Sequence, residues 1–112
     1  MSFIKHSLIV GAVLAISFSA QAADNKPAVV YDMGGKFDKS FNQGVYAGAE
    51  RFKTETGIAY REFEVTNAAQ REQAIRKMAQ RGQSPIVGVG FAQSSAIEAV
   101  AKEFPDLKFT II

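Results

Sequence analysis

The 112-residue chain reads as an α/β domain, an open parallel sheet with flanking helices. Three observations carry that reading. Short β-branched or apolar runs alternate with longer stretches of helical periodicity, and each helical stretch closes on Gly or Pro. The third apolar run, Pro85-Ile86-Val87-Gly88-Val89-Gly90, is also too uniformly apolar for a strand with a solvated face.

Ala28-Val29-Val30-Tyr31 is a short strand that Gly34-Gly35 stops. Phe41, Val45, Gly48, Ala49 and Phe52 follow at the spacing of one buried helix face, with Ser40 and Gln43 placed for a capping box and Gly57 as terminator. Residues 60–65 alternate Tyr60, Glu62 and Glu64 against Arg61, Phe63 and Val65, which predicts an edge strand with one wetter face. Asn67 with Gln70 starts a helix that runs to Arg81, buries Ile75, Met78 and Ala79, and ends at Gly82. The apolar third run lies centrally in the sheet. Ser95 and Glu98 cap a third helix with Ile97, Val100, Ala101 and Phe104 inward and Pro105 as its stop; residues 108–112 form a fourth strand. The order is therefore β-α-β-α-β-α-β. A sheet of this kind normally continues until its faces and edges are covered, and this chain ends inside a strand, so it is read as the N-terminal part of something longer.

The first 22 residues are set apart from that body. Lys5 and His6 lead into an apolar run over 8–18, and Ser19-Ala20-Gln21-Ala22 places small residues for cleavage before Ala23, the pattern of a secretory signal peptide. About 12 apolar residues fall short of the roughly 20 that span a bilayer, so cleavage is favoured over an uncleaved anchor. Many exported solute-binding proteins are lipoproteins with a cysteine at the cleavage point, and here Ala23 stands in its place. The expected location is periplasmic or secreted, with association at the cell membrane left open.

Cleavage removes Lys5 and His6, so the 13 basic side chains become 12 against 11 acidic ones. With no cysteine anywhere and no histidine left, the body has no thiolate nucleophile, imidazole base or soft metal ligand. Neither a cofactor nor a metal is expected, although a carboxylate site for a hard cation stays open. The near-zero net charge and the scattered cations speak against nucleic acid and anionic lipid alike as partners.

In an open parallel sheet, ligands bind beyond the carboxyl ends of strands at the point where chain connections diverge. The loops after the first and third strands should flank that crevice, and both combine glycines, polar side chains and an aromatic. The first lacks the spacings of phosphate-binding glycine loops, and Asp32 and Asp38 would repel a phosphate. A neutral polar ligand fits better, with carboxylates as acceptors, Asn42 as donor and acceptor, and Phe41 or Phe91 as a stacking face. Plain structural roles compete at each position. Asp38 and Ser40 suit a turn and a cap, Lys36 and Lys39 suit solvent, Phe37 and Phe91 suit packing or contact alike, and helical periodicity puts Phe41 in the core.

The segment from Asp32 to Gln43, with its D-x-G-G-x-x-D-x-S-F-N pattern, the run Val87-Gly88-Val89-Gly90-Phe91 and the stretch from Glu103 to Ile112 together resemble the basic membrane protein family. These are substrate-binding proteins related to the bacterial purine nucleoside receptor. The resemblance implies part of the N-terminal lobe of a type I periplasmic binding protein fold, covering residues 23–112. It also implies a nucleoside held between two lobes, and delivery to the permease of an ATP-binding-cassette importer by a monomeric receptor. Carried over by position, Asp32 is a polar ligand contact, Phe41 one of two rings sandwiching the base, Asn42 a neighbouring polar contact, and Gly90 and Phe91 the opposing wall. For Phe41 the family pattern overrules the core reading. The family's second lobe and the acid that follows its fourth strand lie beyond Ile112, so the chain alone is expected to bind weakly. One stacked ring contributes about 1–3 kcal/mol, whereas micromolar binding needs roughly 8 kcal/mol.

Two rivals belong to other classes. One is a secreted nucleoside or phosphate-ester hydrolase with Asp32 and Asp38 around a hard cation. The other is a surface interaction module without a small ligand.

Overall fold

The computed structural model describes residues 25–112; the leader expected over 1–22 lies outside the described residues. Four strands and three helices alternate: β1 (Ala28–Tyr31), α1 (Phe41–Thr56), β2 (Arg61–Glu64), α2 (Gln70–Gln80), β3 (Ile86–Gly88), α3 (Ser94–Glu103) and β4 (Phe109–Ile111). A turn of 3₁₀ helix, Phe91–Gln93, leads from β3 into α3. All pairings are parallel, in the order β2-β1-β3-β4. As the sequence predicts, β2 lies at an edge and β3 is central, but all four residues of β2, Phe63 included, are exposed rather than one face alone.

The register sets Ala28 beside Arg61 on one side and Ile86 on the other, and Ile86 beside Phe109. Alternating side chains of β1 then feed two different layers. Ala28 and Val30 point with Ile86 into the larger core, where Ala74, Ile75, Met78 and Ala79 of α2 meet Ala96, Ile97 and Val100 of α3. Val29 and Tyr31 point the other way with Val89 and meet Val45, Tyr46 and Ala49 of α1. One face of the sheet thus carries two helices and the other carries one.

That asymmetry corrects the expected burial of the α1 stripe. Asn42 is the buried residue of α1; Phe52 is 37% exposed and lines an open apolar groove of about 510 Å³ with Val29, Val45, Gly48, Tyr60 and Val87. The amphipathic pattern is present, but α1 alone is too narrow to cover the sheet.

The helix starts also differ from the expected caps. Ser40 makes no side-chain cap on α1. Asp38 does the work, accepting from the main-chain amides of Ser40 (2.8 Å), Gln43 (3.1 Å) and Asn42 (3.2 Å). Desolvation raises the carboxyl's pKa, but these amides outweigh it and hold Asp38 below the usual carboxylate value. Gln70 reaches back to Thr66 rather than Asn67, accepting from its amide at 2.8 Å and its hydroxyl at 3.0 Å. At α3 the Ser95–Glu98 box is absent, because the 3₁₀ turn feeds the helix directly and Glu98 pairs with Lys102. The helix ends follow expectation: Gly57 adopts φ 71° and donates to Lys53 at 2.9 Å.

Candidate functional site

Connections from β1 and β3 leave in opposite directions, since β1 leads through α1 to β2 on one side while β3 leads through α3 to β4 on the other. This divergence lies between neighbouring strands, and their carboxyl ends are where sheets of this kind place a ligand crevice. Asp32 follows β1 directly, and Gly90-Phe91 follow β3.

At the β1 tip, Asp32 is held twice. Its main-chain oxygen accepts from the Asn42 side-chain amide at 3.0 Å, which ties the first turn of α1 to the strand end. Its carboxylate receives Arg71 of α2, Nε to Oδ1 at 3.0 Å and Nη2 to Oδ2 at 3.3 Å. The two side chains are 19% and 17% exposed, so the pair stands at the surface of the crevice with little water around it. A forked contact of this kind fixes the orientation of both groups, and the guanidinium keeps unspent N–H donors beside the acid.

At the β3 tip, Gly90 adopts φ 99° and comes so close to Asp32 that a Cβ there would stand 3.3 Å from the aspartate Cβ and Oδ2. Only glycine tolerates both the backbone angle and the approach. Below this level Gln93 is fully buried and clips the two tips together, donating to Val30 O at 2.8 Å and Val89 O at 2.9 Å.

The aromatic residues expected at the site stand outside the core. Phe41 is 54% exposed at the first position of α1, and Phe91 is 88% exposed at the first position of the 3₁₀ turn. Asn42 is only 4% exposed and spends its amide on the Asp32 main chain, so it is directed inward to the loop. Asp32 and Gly90 are in contact, with Asn42 bonded behind them; Phe41 and Phe91 open the neighbouring tips. Phe37 instead packs edge-on against Tyr46, with ring centroids 5.2 Å apart. Lys36 is not free in solvent: its side chain pairs with Glu62 and its amide donates to Glu64 at 2.9 Å.

Sequence reading missed Arg71 and Gln93. Arg71 is 39 residues from Asp32 and sits in a run of polar helix residues with no distinguishing pattern. For Gln93 the only signal is its place in the loop after an apolar strand. The same geometry weighs against a cation held by Asp32 and Asp38, because the first is paired with Arg71 and the second caps α1. Among the described residues no group of three His, Cys, Asp or Glu side chains could hold a metal ion.

A parallel sheet whose neighbouring tips present an oriented acid, a close glycine and two exposed rings has the form of a solute-binding lobe. A family model described as "ABC transporter substrate-binding protein PnrA-like" matches residues 26–112, and the chain belongs to this family, Bmp. An uncharacterised lipoprotein of Pyrococcus furiosus is 37% identical over 91 residues, covering 78% of this chain and 22% of its own length. The ABC transporter nucleoside-binding protein BmpA of Lactococcus lactis is 31% identical over 93 residues, covering 80% of this chain and 26% of that protein. Among solved structures, an ABC transporter solute-binding protein from Aeropyrum pernix superposes with a TM-score of 0.72 at 30% identity, covering 78% of this chain and 24% of that one. A second, from Conexibacter woesei, gives 0.67 at 33% identity, covering 75% and 28%. The chain therefore spans about a quarter of the length of these relatives.

Proposed function

We propose that this chain forms one wall of an extracytoplasmic receptor that binds purine nucleosides and passes them to an ATP-binding-cassette permease, without catalysing a reaction. The observation that carries the proposal is the exposure of Phe41 and Phe91, at the starts of the helical segments that follow β1 and β3, together with the Asp32–Gly90 contact between the tips of those strands. Exposed aromatic faces beside an oriented carboxylate suit a flat heterocycle carrying hydroxyls: the ring stacks and the acid accepts from O–H or N–H. The Arg71 counter-charge leaves the β1 tip without net charge, which favours a neutral nucleoside over a charged solute. Kinship with a protein described as nucleoside-binding supports the ligand class.

In this reading Asp32, Phe41 and Phe91 touch the ligand, Gly90 lets the wall approach it, and Asn42 keeps the Asp32 loop in place. Residues 23–112 act as part of an N-terminal lobe, after removal of a signal peptide over 1–22. The opposing wall comes from sequence equivalent to the remainder of the relatives.

Calorimetry with purine nucleosides on a chain extended to the relatives' length tests the assignment. Phe41→Ala is expected to weaken binding by about 5- to 150-fold, the equivalent of about 1–3 kcal/mol of stacking. Asp32→Ala is expected to weaken it at least as much, because it also strands Arg71. Unchanged affinity in both variants would defeat the site, and absence of nucleoside binding by the unmodified extended chain would defeat the ligand class.

A further inference from the structure

A second pocket, of about 630 Å³, lies at the pole of the sheet opposite the crevice. Its lining comes from the starts of three strands: Asn25 and Lys26 before β1, Tyr60 and Arg61 at β2, and Arg81 and Gln83 before β3. Main-chain hydrogen bonds lock these starts together, Arg61 to Pro27 O at 2.9 Å and Ser84 to Lys26 O at 2.8 Å. Three cations therefore converge on one concavity whose lining, among the described residues, contains no carboxylate.

The charge balance around them is uneven. Among the described residues, ion pairs engage Lys36, Arg51, Arg71, Arg76 and Lys102; Lys26, Arg61 and Arg81 have no acidic partner, nor do Lys39, Lys53, Lys77 and Lys108, but only the first three share a concavity. Gln83 adds an independent observation. It is only 6% exposed, its main-chain amide is spent on Met78 at 3.1 Å, and its side-chain amide lines the pocket with no hydrogen-bond partner among the described residues. Its side-chain nitrogen and oxygen are not among the sealed, unpaired atoms, Tyr31 Oη and Gln93 Oε1, so the amide opens to the pocket and is free to donate to a bound group.

We infer that this pole binds a phosphate-bearing anion. Arg61 and Arg81 supply planar forks that match phosphate oxygens, Lys26 supplies a compact charge, and the Gln83 amide donates from beneath. Free phosphate and the headgroup of an anionic lipid share this chemistry.

The test uses the whole 112-residue chain. Titration with inorganic phosphate, followed by amide NMR, is expected to shift the Gln83 side-chain signals with a half-point on the order of 1 mM; sodium chloride at equal ionic strength is expected not to. Combined Arg61→Gln and Arg81→Gln is expected to weaken the response about tenfold. Lys53→Gln, which removes an exposed cation of α1 away from the pocket, is expected to leave it unchanged. These substitutions lie on the surface, and retained amide dispersion verifies the fold. Sedimentation with vesicles then assigns the source: stronger retention by phosphatidylglycerol than by phosphatidylcholine, lost in the double variant, identifies a lipid headgroup, and equal retention identifies soluble phosphate. A phosphate response that is absent, matched by chloride, or weakened equally by Lys53→Gln overturns the proposal whatever the vesicles do.

Discussion

The two faces of the sheet differ in how completely they are closed. On one, α2 and α3 meet over Ala28, Val30 and Ile86, and Ile75, Ile86 and Val100 are wholly buried. On the other, α1 stands alone over Val29, Tyr31 and Val89 beside an apolar groove of about 510 Å³. Both layers are built from the same β1, whose alternate residues face opposite ways. The lesson is that strand identity does not set how well a strand is buried; the number of helices delivered to each face does.

Stability should therefore reside on the α2–α3 face. Ile75→Ala removes a fully buried side chain there and is expected to cost about 2–5 kcal/mol, measured by urea denaturation. A cost no greater than that of an open-face substitution would abolish the distinction between faces. A smaller effect is expected from Gly88→Ala. The added Cβ would stand 2.8 Å from Ile97 Cγ1, and overpacking of this sort costs about 1–3 kcal/mol. The same substitution at Gly48, where nothing lies within 4 Å of an added Cβ, is expected to be neutral or mildly stabilising.

Asp38 sharpens the comparison through pH, because it caps the single helix of the open face. Its folded-state pKa is lowered, so its contribution is complete above the ordinary value of 3.8 and is lost as the pH falls through the lower folded value. Asp38→Asn should flatten that acid limb, with α1 amides exchanging faster than those of α2 and α3 at neutral pH. An unchanged limb would remove Asp38 as the cap. Phe52→Ala on the groove is expected to cost about 1–2 kcal/mol, less than Ile75→Ala because 37% of the residue is already exposed, as read by urea denaturation.

Much of the fold was legible because its signals are local. The apolar quartet at β1, the stripe of Ile75, Met78 and Ala79, the uniformly apolar β3 and the Gly57 stop each occupy one stretch of chain, and each stands where its periodicity put it. Caps were less legible. Asp38 and Ser40 both carry side-chain oxygens able to accept from the amides of a helix start, and loop geometry gives the role to Asp38. At the tips of β1 and β3, the loops that carry Asp32, Gly90 and the two exposed rings are legible from their glycine and aromatic content, whereas the inward turn of Asn42 and the approach of Arg71 are not.

By itself the sequence determined the alternation of strands and helices and the two loops, rich in glycine and aromatics, that cap β1 and β3, because hydrophobic periodicity and backbone freedom act within a few residues. It also determined the absence of thiol and imidazole chemistry from the body of the chain. Only the tertiary structure decided that Arg71 would meet Asp32, that Gln93 would clip Val30 to Val89, and that Lys26, Arg61 and Arg81 would share one concavity. Those meetings depend on strand order and parallel register, which bring together residues tens of positions apart, and no local pattern encodes them.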